Sequence, residues 1–291
     1  MKSVAMVGVG IMGSAIARNL ARNGFRVVGY DTDERRLALL AEAGGAPARS
    51  AAEAVREADI VLTSLPSAKA LEATVSAMLE NPRSGLLLAE LSTLPIEEKE
   101  RQRARMTEAG ITMLDCPLSG TGAQAVTGDL VVFASGDKAA CDAAGAVFAG
   151  FARLTHYLGE FGNGSRMKFV ANLLVAIHNV ASAEAMVLGM KAGLDPELVR
   201  TVVASGAGTS KVLELRSPMM VAGDYQPASM KIDVWQKDMA IIAEFAKSLD
   251  VETPTFTASA PVYDAAIAAG HAVDDTAAVC AVLEKRAGVR R

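Results

Sequence analysis

The sequence predicts two successive architectures, a doubly wound α/β half built on a mostly parallel sheet and then an all-helical half. Three observations predict them. Short apolar runs alternate with helical stretches through the first half, and these strand signals fade beyond Gly162. An apolar stretch from Phe169 to Met190, stopped by Gly193, then opens a series of helical patterns. The division falls near Phe161-Gly162, giving domains 1–161 and 162–291. A chain of 291 residues is long enough for about two domains.

The elements follow in order. Ser3 to Val7 is a short apolar strand that runs into Gly8-Val9-Gly10-Ile11-Met12-Gly13 and a helix to Asn23, with Gly24 as its stop. Phe25 to Tyr30 is the second strand and ends at Asp31, before a helix from about Glu34 to Ala43. Asp59 to Ser64 is a strand halted by Leu65-Pro66-Ser67, and Leu86 to Leu91 is another. Ser92-Thr93 precedes a helix with Pro95 near its start and Glu97 and Glu98 in its first turn, where the macrodipole favours acids. Ile111 to Leu114 and Leu130 to Ala134 complete the strands of the sheet. In the second half Asp195-Pro196 reads as an N-cap followed by proline at N1. Later helices fall near Lys231–Ser248, Pro254–Ala269 and Asp275–Arg286.

Composition narrows the function. At 51% hydrophobic and 21% charged, the chain is neither disordered nor low-complexity. Lys and Arg total 29 against 33 Asp and Glu, so no basic excess exists for nucleic acid or an anionic membrane. Cys116, Cys141 and Cys280 form no framework and read as reduced thiols of a cytoplasmic protein. His156, His178 and His271 show no metal-ligand spacing. Val4 to Ile16 imitates an export leader, but the glycine pattern inside it is the better reading. Phe169 to Met190 is long enough to span a bilayer, yet it holds Asn172, His178, Asn179, Ser182 and Glu184. A buried helix of a soluble core fits those residues better.

Three segments carry chemistry. In the first, a strand precedes the glycine loop, a helix follows it, and an acid, Asp31, stands 18 positions past Gly13 at the end of the next strand. Gly8 permits the tight turn, Gly10 lets the backbone approach a pyrophosphate, and Gly13 lets helix and strand pack closely. Asp31 would accept hydrogen bonds from the adenosine ribose and repel a 2′-phosphate, favouring NAD over NADP. Arg35-Arg36 could reach such a phosphate, or could simply face solvent. In the second segment, at 100° per residue, Lys168, Asn172, Asn179 and Ser182 fall within about 40° of one line. An amine in such apolar surroundings is costly to keep charged, so it is suited to passing a proton near neutral pH. The alternative is a lysine that snorkels to water, with the asparagines as satisfied core groups. In the third, Asp115-Cys116-Pro117-Leu118-Ser119-Gly120-Thr121-Gly122 ends a strand where doubly wound folds bind ligands. Ser119 with the N–H groups of Gly120 and Thr121 could hold a carboxylate, or the segment could be only a flexible turn.

Together these motifs resemble a known family over essentially the full length. Gly8 to Gly13, Leu65-Pro66-Ser67, Ser92-Thr93 with Pro95, Asp115 to Gly120, Gly162-Asn163-Gly164 with Lys168 and Asn172, and Lys237-Asp238 occur in family order. The chain resembles β-hydroxyacid dehydrogenases of the 3-hydroxyisobutyrate dehydrogenase and tartronate semialdehyde reductase type. The resemblance implies a Rossmann dinucleotide-binding domain followed by an all-helical C-terminal domain, joined by a long helix and assembled into homodimers or homotetramers. It implies that Lys168 is the catalytic acid/base, that Asn172 fixes substrate or lysine, and that Ser119, Gly120 and Thr121 hold the substrate carboxylate. Gly8, Gly10, Ile11, Met12, Gly13 and Asp31 would hold the cofactor, with Leu65, Pro66 and Thr93 on the nicotinamide side and Lys237 reaching in. Thr121 stands where the family usually has a second glycine, which alters the carboxylate pocket. The substrate would be a small hydroxy acid such as 3-hydroxyisobutyrate, glycerate, tartronate semialdehyde or threonate, its distal end bordered by residues Gly206 to Arg216. Imine reduction, or a catalytically silent dinucleotide-binding role, is the alternative on the same fold. Lys168 disfavours the first, and Lys168 with Asn172 the second. The helical half is too short for a phosphogluconate-decarboxylating relative.

Overall fold

The computed structural model describes residues 2–289, which divide into two compact units between Lys168 and Phe169. The first unit is built on a six-stranded, wholly parallel sheet. Its chain runs β1 (Ser3–Val7), α1 (Ile11–Arg22), β2 (Arg26–Tyr30), α2 (Glu34–Glu42), β3 (Ala46–Pro47), α3 (Ala51–Val55) and β4 (Ile60–Thr63). It continues through α4 (Ala68–Leu79), β5 (Leu87–Glu90), α5 (Ile96–Glu108) and β6 (Thr112–Asp115). The strand order β3-β2-β1-β4-β5-β6 reverses between β1 and β4, the place where such sheets open a crevice at their carboxyl ends. Strands β1, β4 and β5 are buried along their whole length, as expected of a sheet covered on both faces.

The strand expected near Leu130 to Ala134 belongs to a different sheet. After β6 come β7 (Leu118–Ser119), α6 (Gly122–Thr127), β8 (Val131–Ala134), α7 (Lys138–Ala149) and β9 (Leu154–Tyr157). Strands β7, β8 and β9 form a separate three-stranded sheet in which β7 and β8 run antiparallel. A backbone bridge between Asp115 and Ser135, reinforced by the Ser135 hydroxyl donating to the Asp115 carbonyl at 3.0 Å, ties it to the end of β6. The reversal at Gly120 and α6 turns the chain back on itself, so β8 cannot enter the parallel ladder.

Helix α8 (Asn163–Lys191) begins in the first unit and continues into the second. It starts six residues before the apolar stretch, and its first turn is held by the end of a distant strand, as described below. The second unit adds α9 (Pro196–Ala204), α10 (Lys211–Ala222), α11 (Ile232–Ser248), α12 (Pro254–Ala268), a 3₁₀ turn (Thr276–Ala278) and α13 (Val279–Ala287). Helix α8 is long and apolar enough to cross a membrane. Its polar stripe nevertheless finds partners inside the protein: Asn179 Nδ2 donates to the Tyr263 hydroxyl at 3.1 Å and to the Thr276 carbonyl at 2.8 Å. Ser182 donates to the carbonyl of His178 one turn back. Gly189 lets α9 approach closely, since a Cβ there would lie 2.6 Å from Val199 Cγ2.

Candidate active site

The carboxyl ends of the parallel strands bring five of the expected segments to one edge. At the end of β1, Gly8 has φ +89°, and a Cβ on it would sit 2.2 Å from the Ser64 carbonyl oxygen. A Cβ on Gly13 would meet the Gly8 oxygen at 2.0 Å, so α1 and the loop touch backbone to backbone. Gly10 caps α1 with no side-chain hydrogen bond, and a Cβ on it would meet only Arg36 Nη1, at 3.7 Å. An uncapped helix start beside an open glycine suits the pyrophosphate of a dinucleotide. Ile11 is exposed and Met12 half-buried at that helix start.

Asp31, just past β2, already has a structural task. Its Oδ2 accepts the Val9 N–H at 2.7 Å, its Oδ1 accepts the Asp33 N–H at 3.0 Å, and Arg36 Nη1 lies 3.3 Å from Oδ2. The carboxylate therefore shapes the glycine loop. Arg35 turns instead to Asp33, in a two-pronged pair on the surface. Leu65, after β4, donates its N–H to Ser92 Oγ at 2.8 Å, which ties the Leu65-Pro66 turn to the Ser92-Thr93 turn after β5.

Beyond β6, Ser119 lies in β7 opposite Val131, and Thr121 begins α6. The Thr121 N–H, expected to hold a carboxylate, donates to Gln124 Oε1 at 3.1 Å. Of the expected donors, the Ser119 hydroxyl and the Gly120 N–H remain.

Lys168 is buried at the end of the first unit, two turns into α8. In the second unit Asn172 Nδ2 donates to Asp238 Oδ2 at 3.0 Å, both side chains being buried, and Lys237 Nζ lies 3.5 Å from Asp238 Oδ1. Arg216, expected near the substrate's distal end, is instead buried in an ion pair with Asp275. Lys211 pairs with Glu214 on the surface.

Sequence reasoning missed one cluster. Lys99 sits in the polar run Glu97-Glu98-Lys99-Glu100-Arg101, which reads as a solvated helix face, yet it is wholly buried. Its Nζ lies 2.6 Å from Glu90 Oε2 and 2.7 Å from Asp115 Oδ1, and donates to the Ser92 carbonyl at 2.7 Å. Burial alone would depress this amine, but Asp115 and Glu90 override it and hold its pKa above the ordinary lysine range. The only signal in the sequence was an acid closing each of two strands, Glu90 and Asp115, with one cation between them.

The glycine loop, the reversal of strand order and the uncapped α1 together define a nicotinamide-dinucleotide enzyme fold. Residues 3–159 match the family profile described as the NAD binding domain of 6-phosphogluconate dehydrogenase, and 162–283 that of NADP-dependent 3-hydroxyisobutyrate dehydrogenase. An L-threonate dehydrogenase of Cupriavidus necator is 34% identical over 96% of this chain and 95% of its own. An NAD-dependent L-serine dehydrogenase of Pseudomonas aeruginosa is 30% identical over 96% and 97%. A Mycobacterium tuberculosis 3-hydroxyisobutyrate dehydrogenase, solved with L-serine, superposes with a TM-score of 0.86 at 28% identity, covering 97% of this chain and 99% of that one. The chain belongs to the β-hydroxyacid dehydrogenase family and is a nicotinamide-dependent hydroxyacid dehydrogenase.

Proposed function

We propose that the protein oxidises a small 3-hydroxy acid, or reduces the matching semialdehyde, with Lys168 as the proton-transfer group. The observation that carries this reading is a buried lysine one helical turn before a buried asparagine, Asn172, on the same helix. When bound, the nicotinamide takes up or returns the hydride. Neutral Lys168 accepts the hydroxyl proton in oxidation and gives it back in reduction. Ser119 and Gly120 orient the carboxylate, while Asn172, itself fixed by Asp238, aligns the reacting end. L-Threonate and L-serine are the first acids to test, because relatives at 34% and 30% identity are named for them. 3-Hydroxyisobutyrate and glycerate come next.

Lys168→Met should lower turnover by about 10² to 10⁴, the usual worth of general acid–base assistance, while NAD affinity stays within about threefold. Turnover near the wild-type value would end the assignment. NAD is the proposed cofactor because Asp31, an acid just past β2, would accept from a ribose hydroxyl and repel a 2′-phosphate. Asp31→Ala should weaken NAD about tenfold or more, since it removes that acceptor and also the bond that holds the Val9 N–H of the glycine loop, and it should narrow the preference over NADP. An unchanged preference would place the choice elsewhere, with Arg36 the next residue to vary.

The proposed assembly is a homodimer or homotetramer. Exposed Val170, Leu174 and Leu188, with half-buried Ile177 between them, line one side of α8 at helical spacing and support it. The proposed location is the cytoplasm, which fits three buried cysteines that are in no disulfide.

A further inference from the structure

The buried cluster around Lys99 reaches the turns at Leu65 and Ser92, the strand end that leads to Ser119, and the start of α8, all of which the proposed reaction uses. Glu90 Oε1 accepts the Ser92 N–H at 2.9 Å, and the Ser92 hydroxyl holds the Leu65 N–H, so the cofactor-side turns are fixed from below. Asp115 stands at the head of the segment leading to Ser119. Asp115 Oδ2 accepts the Ser165 N–H at 2.7 Å, and Oδ1 accepts the Ser165 hydroxyl at 2.8 Å. Ser165 lies in the first turn of α8, three residues before Lys168. The next residue inward, Gly164, donates its N–H to Ser135 Oγ at 2.9 Å. A Cβ on Gly164 would lie 2.4 Å from the Phe133 oxygen and 2.7 Å from the Asp115 oxygen. The start of α8 is therefore seated directly on the ends of β6 and β8. An aspartate across a helix start also suits the macrodipole.

We propose that Glu90, Lys99, Asp115 and Ser165 form a positioning unit for the reaction. Lys99 locks the two carboxylates, Asp115 fixes the rotation and height of the first turn of α8 through Ser165, and Lys168 is thereby set against the loops that Ser92 and Ser119 anchor. None of the four contacts the reacting atoms in this scheme. The proposal rests on the reading of Lys168 as the proton-transfer group. A displacement of about 1 Å at a reacting group costs on the order of 10²-fold in rate, so a one-bond change at Ser165 should be visible in turnover.

The test uses the full-length enzyme with L-threonate or L-serine, whichever is turned over, and compares Ser165→Ala, Ser165→Cys and Ser165→Thr with Lys168→Met. Cysteine fills the space of serine but is a weak donor, whereas threonine restores a hydroxyl. The expected result is a 10- to 100-fold loss of kcat in the Ala and Cys variants. KM and the NAD dissociation constant should stay within about threefold, and Thr should recover most of the rate. Wild-type kcat in Ser165→Ala, or in Ser165→Cys, would overturn the positioning role. If Lys168→Met is dead while the Ser165 variants are fully active, the positioning proposal alone has failed. If Lys168→Met turns over normally, the proton-transfer reading has failed, whatever Ser165 does.

Discussion

Each compact unit buries a cation against carboxylate, and the two sites divide the work differently. In the first unit Lys99 stands between two carboxylates, so the wholly buried cluster carries more negative than positive partners. In the second, Arg216 pairs with one carboxylate, Asp275, and donates to the Ser229 hydroxyl at 3.4 Å. Asp275 is otherwise well supplied: it accepts the N–H groups of Ser229, Met230 and Ala277 and the Ser229 hydroxyl. Among the described residues, Glu90 Oε2 has no hydrogen-bond partner beyond its ion pair with Lys99. The two sites show that the cost of a buried charge depends on what else its partner can hold. Asp275 ties a loop to the 3₁₀ turn by its own hydrogen bonds, with Arg216 as a neutralising lid. At Glu90 the cation is the support itself.

The largest expected effect tests that contrast. Lys99→Met and Arg216→Met each remove one member of a buried pair, which costs about 3–5 kcal/mol. The sizes of the two losses should differ. Lys99→Met strands two buried carboxylates that share one cation, whereas Arg216→Met leaves one carboxylate that still accepts from Ser229, Met230 and Ala277. The Lys99 variant should therefore lie at the upper end of that range and the Arg216 variant at the lower. Urea unfolding measures both. Adding Glu90→Gln to Lys99→Met should recover part of the loss, because one stranded charge is gone. Equal losses in the single variants, or no recovery in the double, would show that Glu90 had found another partner.

The same contrast explains what the sequence could and could not show. The glycine loop was legible because its constraints are local: Gly8 and Gly13 are required by backbone atoms within a few residues or one strand away. Strand β1 runs from Ser3 to Val7 as expected, because a short apolar run bounded by glycine has few other fates. Lys99 was not legible, since its partners come from two strands, one nine residues before it and one sixteen after. The start of α8 was not legible for the same reason. Asn163 and Ser165 are both cap-type residues, yet the Ser165 N–H and hydroxyl go to Asp115, 50 residues earlier. Leu130 to Ala134 was rightly a strand but assigned to the wrong sheet, because pairing partners are not written in a strand's own residues. The Thr121 N–H was expected at a ligand, and Gln124, three residues on, occupies it. That contact is a capping-box pattern the sequence did contain.

The smallest effect sharpens the comparison at helix starts. Helix α9 is capped by its own neighbour: Asp195 Oδ1 accepts the Leu198 N–H at 3.0 Å, on the surface, with Pro196 at N1. Asp195→Ala should cost about 1 kcal/mol of stability, the usual worth of an N-cap, and leave kcat where it was. Ser165→Ala removes a bond of similar length and should cost a similar amount of stability, because its N–H still reaches Asp115. Only the second should slow turnover, since only that helix start places the proton-transfer lysine. Two variants matched in melting temperature and separated tenfold or more in kcat would locate the difference in position and not in strength. Matched kcat values would mean that α8 keeps its place without the serine hydroxyl, and that its seat on Gly164 is sufficient.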